Sequence, residues 1–288
     1  MANSPTHTAN GPMLLAAIED RYPEGEGLTR DPLAYGLLPL GHRVMALACR
    51  SRFLRDRFIA ALERRHPGGW GGIACRKRYF DEQASAACEA GLAALVNLGA
   101  GLDTRAYRLP ALARVPVFEV DLPENLARKR AWIARRVGAV DHVALVPVDF
   151  DRDDLAAALR SRGLDPAAKT LYLWEGVTQY LSEAGVRRTL AAIAWAPIGS
   201  RLCFTYVLKD FLRGDDAHGL AELQRSRIVR ELWRFALDPS EVAGLLGEYG
   251  LRVIEDIGRP ELLERYVRPT GRALEVMEIE RFVLAERV

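Results

Sequence analysis

The segment Leu92-Ala93-Ala94-Leu95-Val96-Asn97-Leu98-Gly99-Ala100-Gly101 joins a short apolar run to a Gly-x-Gly turn, and Leu102-Asp103-Thr104-Arg105 follows. An apolar run of this length, closed by two glycines, reads as a buried strand that turns at once into a helix. Glycine admits backbone conformations closed to other residues, and it lets main-chain N–H groups approach a ligand that side chains would hold off. From position 92 onward, short apolar runs alternate with helical patterns, which predicts an α/β fold with a largely parallel sheet.

A dinucleotide-binding loop wants a third small residue three positions after the second glycine. Position 104 is Thr instead, and acidic Asp103 precedes it. A carboxylate there is a poor neighbour for a pyrophosphate, which disfavours a nicotinamide-dependent oxidoreductase. It suits a ligand with a ribose, an amino group and a positive charge; S-adenosylmethionine carries all three. Val117-Phe118-Glu119-Val120-Asp121 is a second apolar strand. Its acidic end lies about 20 residues beyond the glycines, where a nucleotide-binding β-α-β unit places an acid for a ribose hydroxyl pair.

Strands are expected at 92–98, 116–120, 143–149, 170–175, 201–207, 251–257 and 279–285. The helix after the second carries Leu122, Leu126, Ile133 and Val137 on one face, with Pro123 in its first turn. Ser182 is an N-cap candidate for a helix that buries Val186, Leu190 and Ile193 and ends at Pro197. Residues 1–11 read as disordered and 12–72 as a helical cap, with a short helix at Met13–Ile18 and a long one at Leu37–Arg65. Pro67-Gly68-Gly69-Trp70-Gly71-Gly72 reads as the break before a core at 73–288, into which 208–235 is inserted as a polar lid. Ligands of open α/β sheets bind beyond the carboxyl ends of the strands. Those tips carry Gly99 and Gly101, Asp121, Asp149-Phe150, and Glu175.

The 288 residues suffice for a substantial core, and a formal charge of +2 gives no broad basic surface, so nucleic acid is not an expected partner. Cys49, Cys75, Cys88 and Cys203 have no Cys-x-x-Cys spacing, so neither a metal site nor a disulfide framework is expected. No apolar stretch approaches the roughly 20 residues of a membrane span. The first residues lack the basic and apolar regions of a signal peptide, so a cytoplasmic address is expected and no membrane partner. Nothing in the sequence speaks to oligomeric state.

Four blocks in order resemble one family: Asn97-Leu-Gly-Ala-Gly-Leu-Asp-Thr-Arg-Ala-Tyr-Arg-Leu109, Phe118-Glu-Val-Asp-Leu-Pro123, Val146-Pro-Val-Asp149 and Trp174-Glu-Gly-Val-Thr-Gln-Tyr-Leu181. They resemble the leucine carboxyl methyltransferases, and more closely the bacterial small-molecule O-methyltransferases of that family, which include polyketide tailoring enzymes. The likeness runs from about Asp31-Pro32 to the C-terminus. It implies a Rossmann-like seven-stranded sheet with its last strand antiparallel and a helical N-terminal cap. It also implies S-adenosylmethionine as cofactor. The methionine part would lie on Gly99, Ala100 and Gly101, and the ribose on Asp121 beside Leu122. Adenine would lie between Asp149 and Phe150, and the amino group at Glu175 and Gly176. A family arginine before the first strand contacts the cofactor carboxylate; Arg76 and Arg78 both match it.

Asp103 either caps the helix after the first strand or faces the ligand, and Arg105 either pairs with Asp103 or binds a ligand carboxylate. Tyr180 and Tyr206 are the candidate catalytic, substrate-facing groups, each able to orient an acyl or phenolic oxygen by a hydrogen bond or to be core. No histidine stands in the cofactor blocks: His7, His42, His66, His142 and His218 lie elsewhere. The expected reaction is therefore methyl transfer to a carboxyl or phenolic oxygen of a small metabolite, without metal. A protein C-terminal carboxylate is the alternative acceptor.

Overall fold

The computed structural model describes residues 10–138 and 140–288. A seven-stranded sheet runs β1 (Ala94–Leu98), β2 (Val117–Asp121), β3 (Val143–Pro147), β4 (Thr170–Trp174), β5 (Arg201–Val207), β6 (Leu251–Ile257) and β7 (Glu280–Arg287) along the chain. Its spatial order is β3-β2-β1-β4-β5-β7-β6. The first five strands are parallel, with Val96 level with Phe118 on one side and Tyr172 on the other. β7 enters antiparallel between β5 and β6, with Cys203 level with Leu284. The expected strands, their number and the antiparallel last strand are all present. Chain order reverses beside β1, with β2 on one side and β4 on the other, so the crevice at their carboxyl ends is the switch point of the sheet.

Helices of seven residues or more are numbered α1 (Asn10–Glu19), α2 (Leu40–Ala48), α3 (Arg52–Arg65), α4 (Gly69–Glu89), α5 (Pro123–Arg136), α6 (Leu155–Ser161), α7 (Glu183–Ile193) and α8 (Pro239–Gly247). Side chains alternate across the strands, so each strand feeds two cores. Leu95, Leu171, Leu173 and Cys203 pack with Ile18, Ala74 and Phe80 of α1 and α4. Val96, Leu98, Tyr172 and Trp174 pack on the other face with Leu159, Val186, Leu190 and Leu246 of α6, α7 and α8. Ser182 caps α7 as expected, its hydroxyl accepting from the Gly185 N–H at 3.0 Å.

The N-terminal third departs from expectation in three places. Residues 10 and 11, expected to be disordered, already belong to α1; residues 1–9 lie outside the described residues. The helix expected over Leu37–Arg65 is two, because Ser51 takes an extended conformation (φ −70°, ψ 120°) and interrupts the ladder. The bend lets both Cys49 and Ile59 reach the core. Finally, the break is confined to 66–68, where Gly68 (φ 73°) separates α3 from α4, and the later glycines do not extend it. Gly69, Gly71 and Gly72 open α4, which crosses the expected boundary at 72/73 without interruption. These glycines serve close packing: a Cβ on Gly71 would strike the Glu275 carbonyl, and one on Gly72 would lie 2.8 Å from Met277 Cγ.

A buried carboxylate ties this layer together. Glu19 accepts from Trp70 Nε1 at 2.6 Å, from the Leu28 N–H at 2.9 Å, and from the Arg272 guanidinium at 2.8 and 2.9 Å. The expected lid, 208–235, is three short helices (Lys209–Arg213, Ala221–Gln224 and Arg227–Leu232) joined by turns. Among the described residues, no helix is long and apolar enough to cross a membrane.

Candidate active site

A cavity of about 810 Å³ opens over the carboxyl ends of β1, β2 and β4. Gly99 (φ 73°) and Gly101 (φ 39°) form its floor in conformations that L side chains rarely adopt. A Cβ on Gly99 would collide with the Val177 side chain, so glycine is required there for space as well as conformation. The Gly99 and Ala100 N–H groups donate to Val120 O at 2.8 and 2.9 Å, which pins the turn to β2.

Asp121 closes β2 at the cavity wall. Its Oδ2 accepts from the Gly101 N–H at 2.6 Å, and its Oδ1 from the Leu122 N–H and Asn125 Nδ2, each at 2.7 Å. Three donors from two elements thus fix a carboxylate at the cavity edge. Glu119, two residues back, is buried with Lys129 and Tyr107 at 2.6 and 2.7 Å and does not line the cavity. Asp149 and Phe150 line the next stretch of wall, and Phe150 rests 6.4 Å from the Trp174 ring.

Glu175, just after β4, is gripped from two sides. Its Oε1 accepts from Arg76 Nε at 3.1 Å and its Oε2 from Arg105 Nη2 at 2.7 Å. Burial alone would raise its pKa; Arg105, Lys77 and Arg76 outweigh that and bring it down to about 2. Arg105 is 1 % exposed and also donates through Nε to Asp81 at 2.7 Å and through Nη1 to Asp103. Burial opposes its charge, but Asp103, Glu175 and Asp81 together hold it well above its ordinary value. Arg105 is therefore a structural hub that pairs with Asp103 and leaves no face for a ligand carboxylate. Asp103 Oδ1 accepts from the Arg105 N–H at 2.8 Å, in the first turn of the next helix, and the residue also lines the cavity.

Arg76 and Arg78 part company because a helix turns them about 200° from one another. Arg76 lines the cavity, with its Nη1 2.8 and 2.9 Å from the two oxygens of Glu280. Gly176 faces this guanidinium so closely that a Cβ would lie 3.2 Å from Arg76 Cζ. Arg78 is 39 % exposed, donates to Glu82 at 2.9 Å and stacks over Tyr266, and it does not reach the cavity. The tyrosines divide in the same way. Tyr180 lines the cavity. Tyr206 does not: it is 0 % exposed, packs in the opposite core and donates to Asp256 Oδ2 at 2.9 Å. The alternation of β5 puts its neighbour Val207 on the cavity instead.

Several lining residues escaped the sequence reading. Trp70, Ile73 and Lys77 line the same face of α4 as Arg76, a spacing legible only once that helix is recognised. Glu280 arrives from the last strand, and Trp233 and Arg234 from the lid. His66, outside every cofactor block, also lines the cavity, whereas His142 contacts Ala106 O at 2.9 Å away from it. Among the described residues, no three His, Cys, Asp or Glu side chains cluster as a metal site would require.

The solved structures of a Thermobifida fusca methyltransferase and of a Streptomyces avermitilis DUF574-family protein share this fold. The first superposes with a TM-score of 0.60 at 17% identity over 99% of both chains. The second does so with 0.59 at 13% over 96% of this chain and 97% of its own. At these identities the likeness is one of fold. In sequence, the chain is 39% identical over 210 residues to a Mycobacterium sp. (strain JLS) protein named for S-adenosyl-L-methionine-dependent methyl transfer. That match covers 67% of this chain and 66%, just under two thirds, of the relative. The family model described as leucine carboxyl methyltransferase matches residues 9–194, more than half of the chain. The chain belongs to the leucine carboxyl methyltransferase family.

Proposed function

We propose that the protein transfers a methyl group from S-adenosylmethionine to a carboxyl or phenolic oxygen of a small, largely apolar metabolite of the polyketide type. The single observation that carries this reading is one continuous cavity. It joins the Gly99 turn and the carboxylates of Asp121 and Glu175 to an apolar wall supplied by the cap, including Leu14, Phe58 and Trp70. Its volume of about 810 Å³ falls in the range of small-molecule sites.

The residues fit the cofactor. The turn would take the methionine part at Gly99, Ala100 and Gly101, where any Cβ on Gly99 would close the space. Asp121, held by three donors, would receive the ribose hydroxyls beside Leu122. Asp149 and Phe150 would flank adenine, Glu175 and Gly176 would face the amino group, and Arg76 the carboxylate. When bound, the cofactor supplies a methyl group activated on a sulfonium. The protein's part is to orient the acceptor, exclude water and keep Glu175 ionised next to a cation. Tyr180, at the cavity wall, would orient the acceptor oxygen.

A small acceptor suits this cavity better than a protein C-terminus, because the apolar wall is lined by the cap and lid of the same chain. Four free cysteines, three of them buried, support a reducing, cytoplasmic setting. The test is methyl transfer from radiolabelled S-adenosylmethionine to a panel of apolar carboxylic acids and phenols, with a peptide bearing a free C-terminus alongside. Ester or ether products from the small molecules support the reading; label on the peptide alone would refute it.

A further inference from the structure

On the cavity side of α4, Trp70, Ile73 and Lys77 follow one another at intervals of three and four residues, so one helix face carries all three. Trp70 spends its one side-chain polar atom on Glu19, through the 2.6 Å bond from Nε1, and the rest of its side chain is apolar. Ile73 adds an aliphatic side chain. The stripe thus runs from an apolar wall, continued by Leu14 and Phe58, to an ammonium group.

Lys77 is 7 % exposed. Lysine is rarely buried so deeply without a partner, because its stem ordinarily carries the charge out to water. Among the described residues, no carboxylate or other acceptor lies within hydrogen-bonding or ion-pairing reach of Lys77 Nζ. Nor is the ammonium sealed off, and the open space beside Lys77 is the cavity. Asp103 and Glu175 act on it from farther away. Both are already engaged. Asp103 Oδ2 accepts from Asn97 Nδ2 at 2.9 Å and from Arg105, while Arg76 and Arg105 hold one oxygen each of Glu175. Arg76, the next residue along, is the contrast: Glu175 and Glu280 both occupy its guanidinium, whereas the Lys77 charge faces the cavity unneutralised by a contact.

We propose that Lys77 is a specificity-determining residue whose ammonium holds the carboxylate of an apolar acceptor lying along the Trp70–Ile73 face. The acceptor class is then an apolar carboxylic acid, since a neutral phenol brings no anion to Lys77 Nζ. One carboxylate oxygen accepts from the ammonium and the other takes the methyl group. The new carbon–oxygen bond forms as the carbon–sulfur bond breaks, its electron pair returns to sulfur, and no proton moves. Esterification removes the negative charge, so the product loses the ion pair that held the acid. The inference rests on the cavity being the methyltransferase site proposed above.

The test uses the whole protein loaded with S-adenosylhomocysteine and two acids of different shape, 2-naphthoate and octanoate, each beside its primary amide. All four are titrated calorimetrically near neutral pH into wild type, into Lys77→Met, which keeps the apolar stem, and into Lys77→Arg, which keeps the charge. A buried charge pair discriminates strongly, so wild type should prefer at least one acid to its amide by about tenfold or more. In Lys77→Met that ratio should fall below about threefold, and Lys77→Arg should restore part of it. The ratio is taken within each protein, so a general loss of packing cancels. Lys77→Gln carries the comparison should Lys77→Met fail to fold. No acid preference in wild type, or one that survives loss of the charge, overturns the inference. S-adenosylhomocysteine and its decarboxylated analogue, titrated into the unloaded proteins, should give the same ratio in wild type and Lys77→Met. A collapse of that ratio in the variant overturns the inference too, because Lys77 would then read the cofactor carboxylate. Failure of wild type to bind S-adenosylhomocysteine shows in the loading titration, and refutes the cofactor reading and this inference with it.

Discussion

Arg76 and Glu280 stand 204 residues apart in the chain, yet both oxygens of Glu280 accept from Arg76 Nη1, at 2.8 and 2.9 Å. The last strand therefore reaches back to fix a cation beside Glu175 in the cavity wall. Glu175 holds the same guanidinium through Nε, so Arg76 is shared between two carboxylates. Burial opposes its charge, and these two partners, Glu280 first, raise its pKa above the ordinary value.

Glu280→Gln should loosen Arg76 without emptying the core. The expected result is S-adenosylhomocysteine affinity lowered by about three- to tenfold, since a charge-assisted bond exceeds a neutral one by about 1 kcal/mol. Calorimetry on the two proteins checks this. An unchanged dissociation constant would leave Glu280 a purely structural partner.

Gly99→Ala should abolish cofactor binding more completely than any change of a side chain nearby. Alanine at φ 73° is strained by about 1–2 kcal/mol, and its methyl group meets Val177. Adding Val177→Ala relieves the collision but not the strain, so the double variant should recover part of the binding. Differential scanning fluorimetry with and without S-adenosylhomocysteine reads both effects.

The pH dependence of stability follows from Glu175. Its pKa drops from an ordinary 4.5 to about 2 on folding, where Arg105, Lys77 and Arg76 outweigh burial. A lowered carboxylate contributes stability that is fully present above about 4.5 and is lost as pH falls through about 2, on the order of 3 kcal/mol. Asp103, also held well below its usual range against burial by Arg105, adds to the same window. The melting temperature should fall steeply across that window in the wild type and less steeply in Glu175→Gln. Arg105→Met should cost far more, about 3–5 kcal/mol at neutral pH, because it leaves buried Asp103 without its ion-pair partner and Glu175 and Asp81 with only Arg76 and Arg108. Equal slopes for wild type and Glu175→Gln would remove Glu175 from this account.

Much of this was legible in the sequence, and the exceptions share a cause. The seven strands were readable because short apolar runs closed by Gly, Asp or Pro have few other uses. Asp121, Asp149 and Glu175 follow from the strands, since each ends or immediately follows one. What depended on phase was lost. Arg76 could not be told from Arg78, nor Val207 from Tyr206, without knowing which way a helix or strand was turned. The glycines at 69–72 were misread, whereas Gly68 does break the chain, because glycine breaks helices in solvent but also lets another segment, here 275–277, lie against one. Glu280 and His66 carried no local signal; only the folded sheet and cap bring them to the cavity.

The acceptor can be classed by rate. A carboxylate is ionised well below neutrality, so its methylation should be nearly flat from about pH 6 to 8, whereas a phenol, ordinarily near 10, should speed up with pH. We expect the flat profile, an ester product and full activity in a strong chelator. Loss of turnover in chelator, restored by magnesium, would contradict the proposed chemistry.

The most direct test of the central claim is calorimetric titration of S-adenosylhomocysteine and of a nicotinamide dinucleotide into the wild type and Asp121→Ala. Asp121 holds a carboxylate at the cavity edge with three donors behind it. The account predicts one S-adenosylhomocysteine site in the wild type and no nicotinamide binding. It predicts affinity at least about tenfold weaker in the variant, through loss of charge-assisted hydrogen bonds worth roughly 1.5–3 kcal/mol each. Nicotinamide binding with no response to S-adenosylhomocysteine, or an Asp121→Ala affinity equal to wild type, would contradict it.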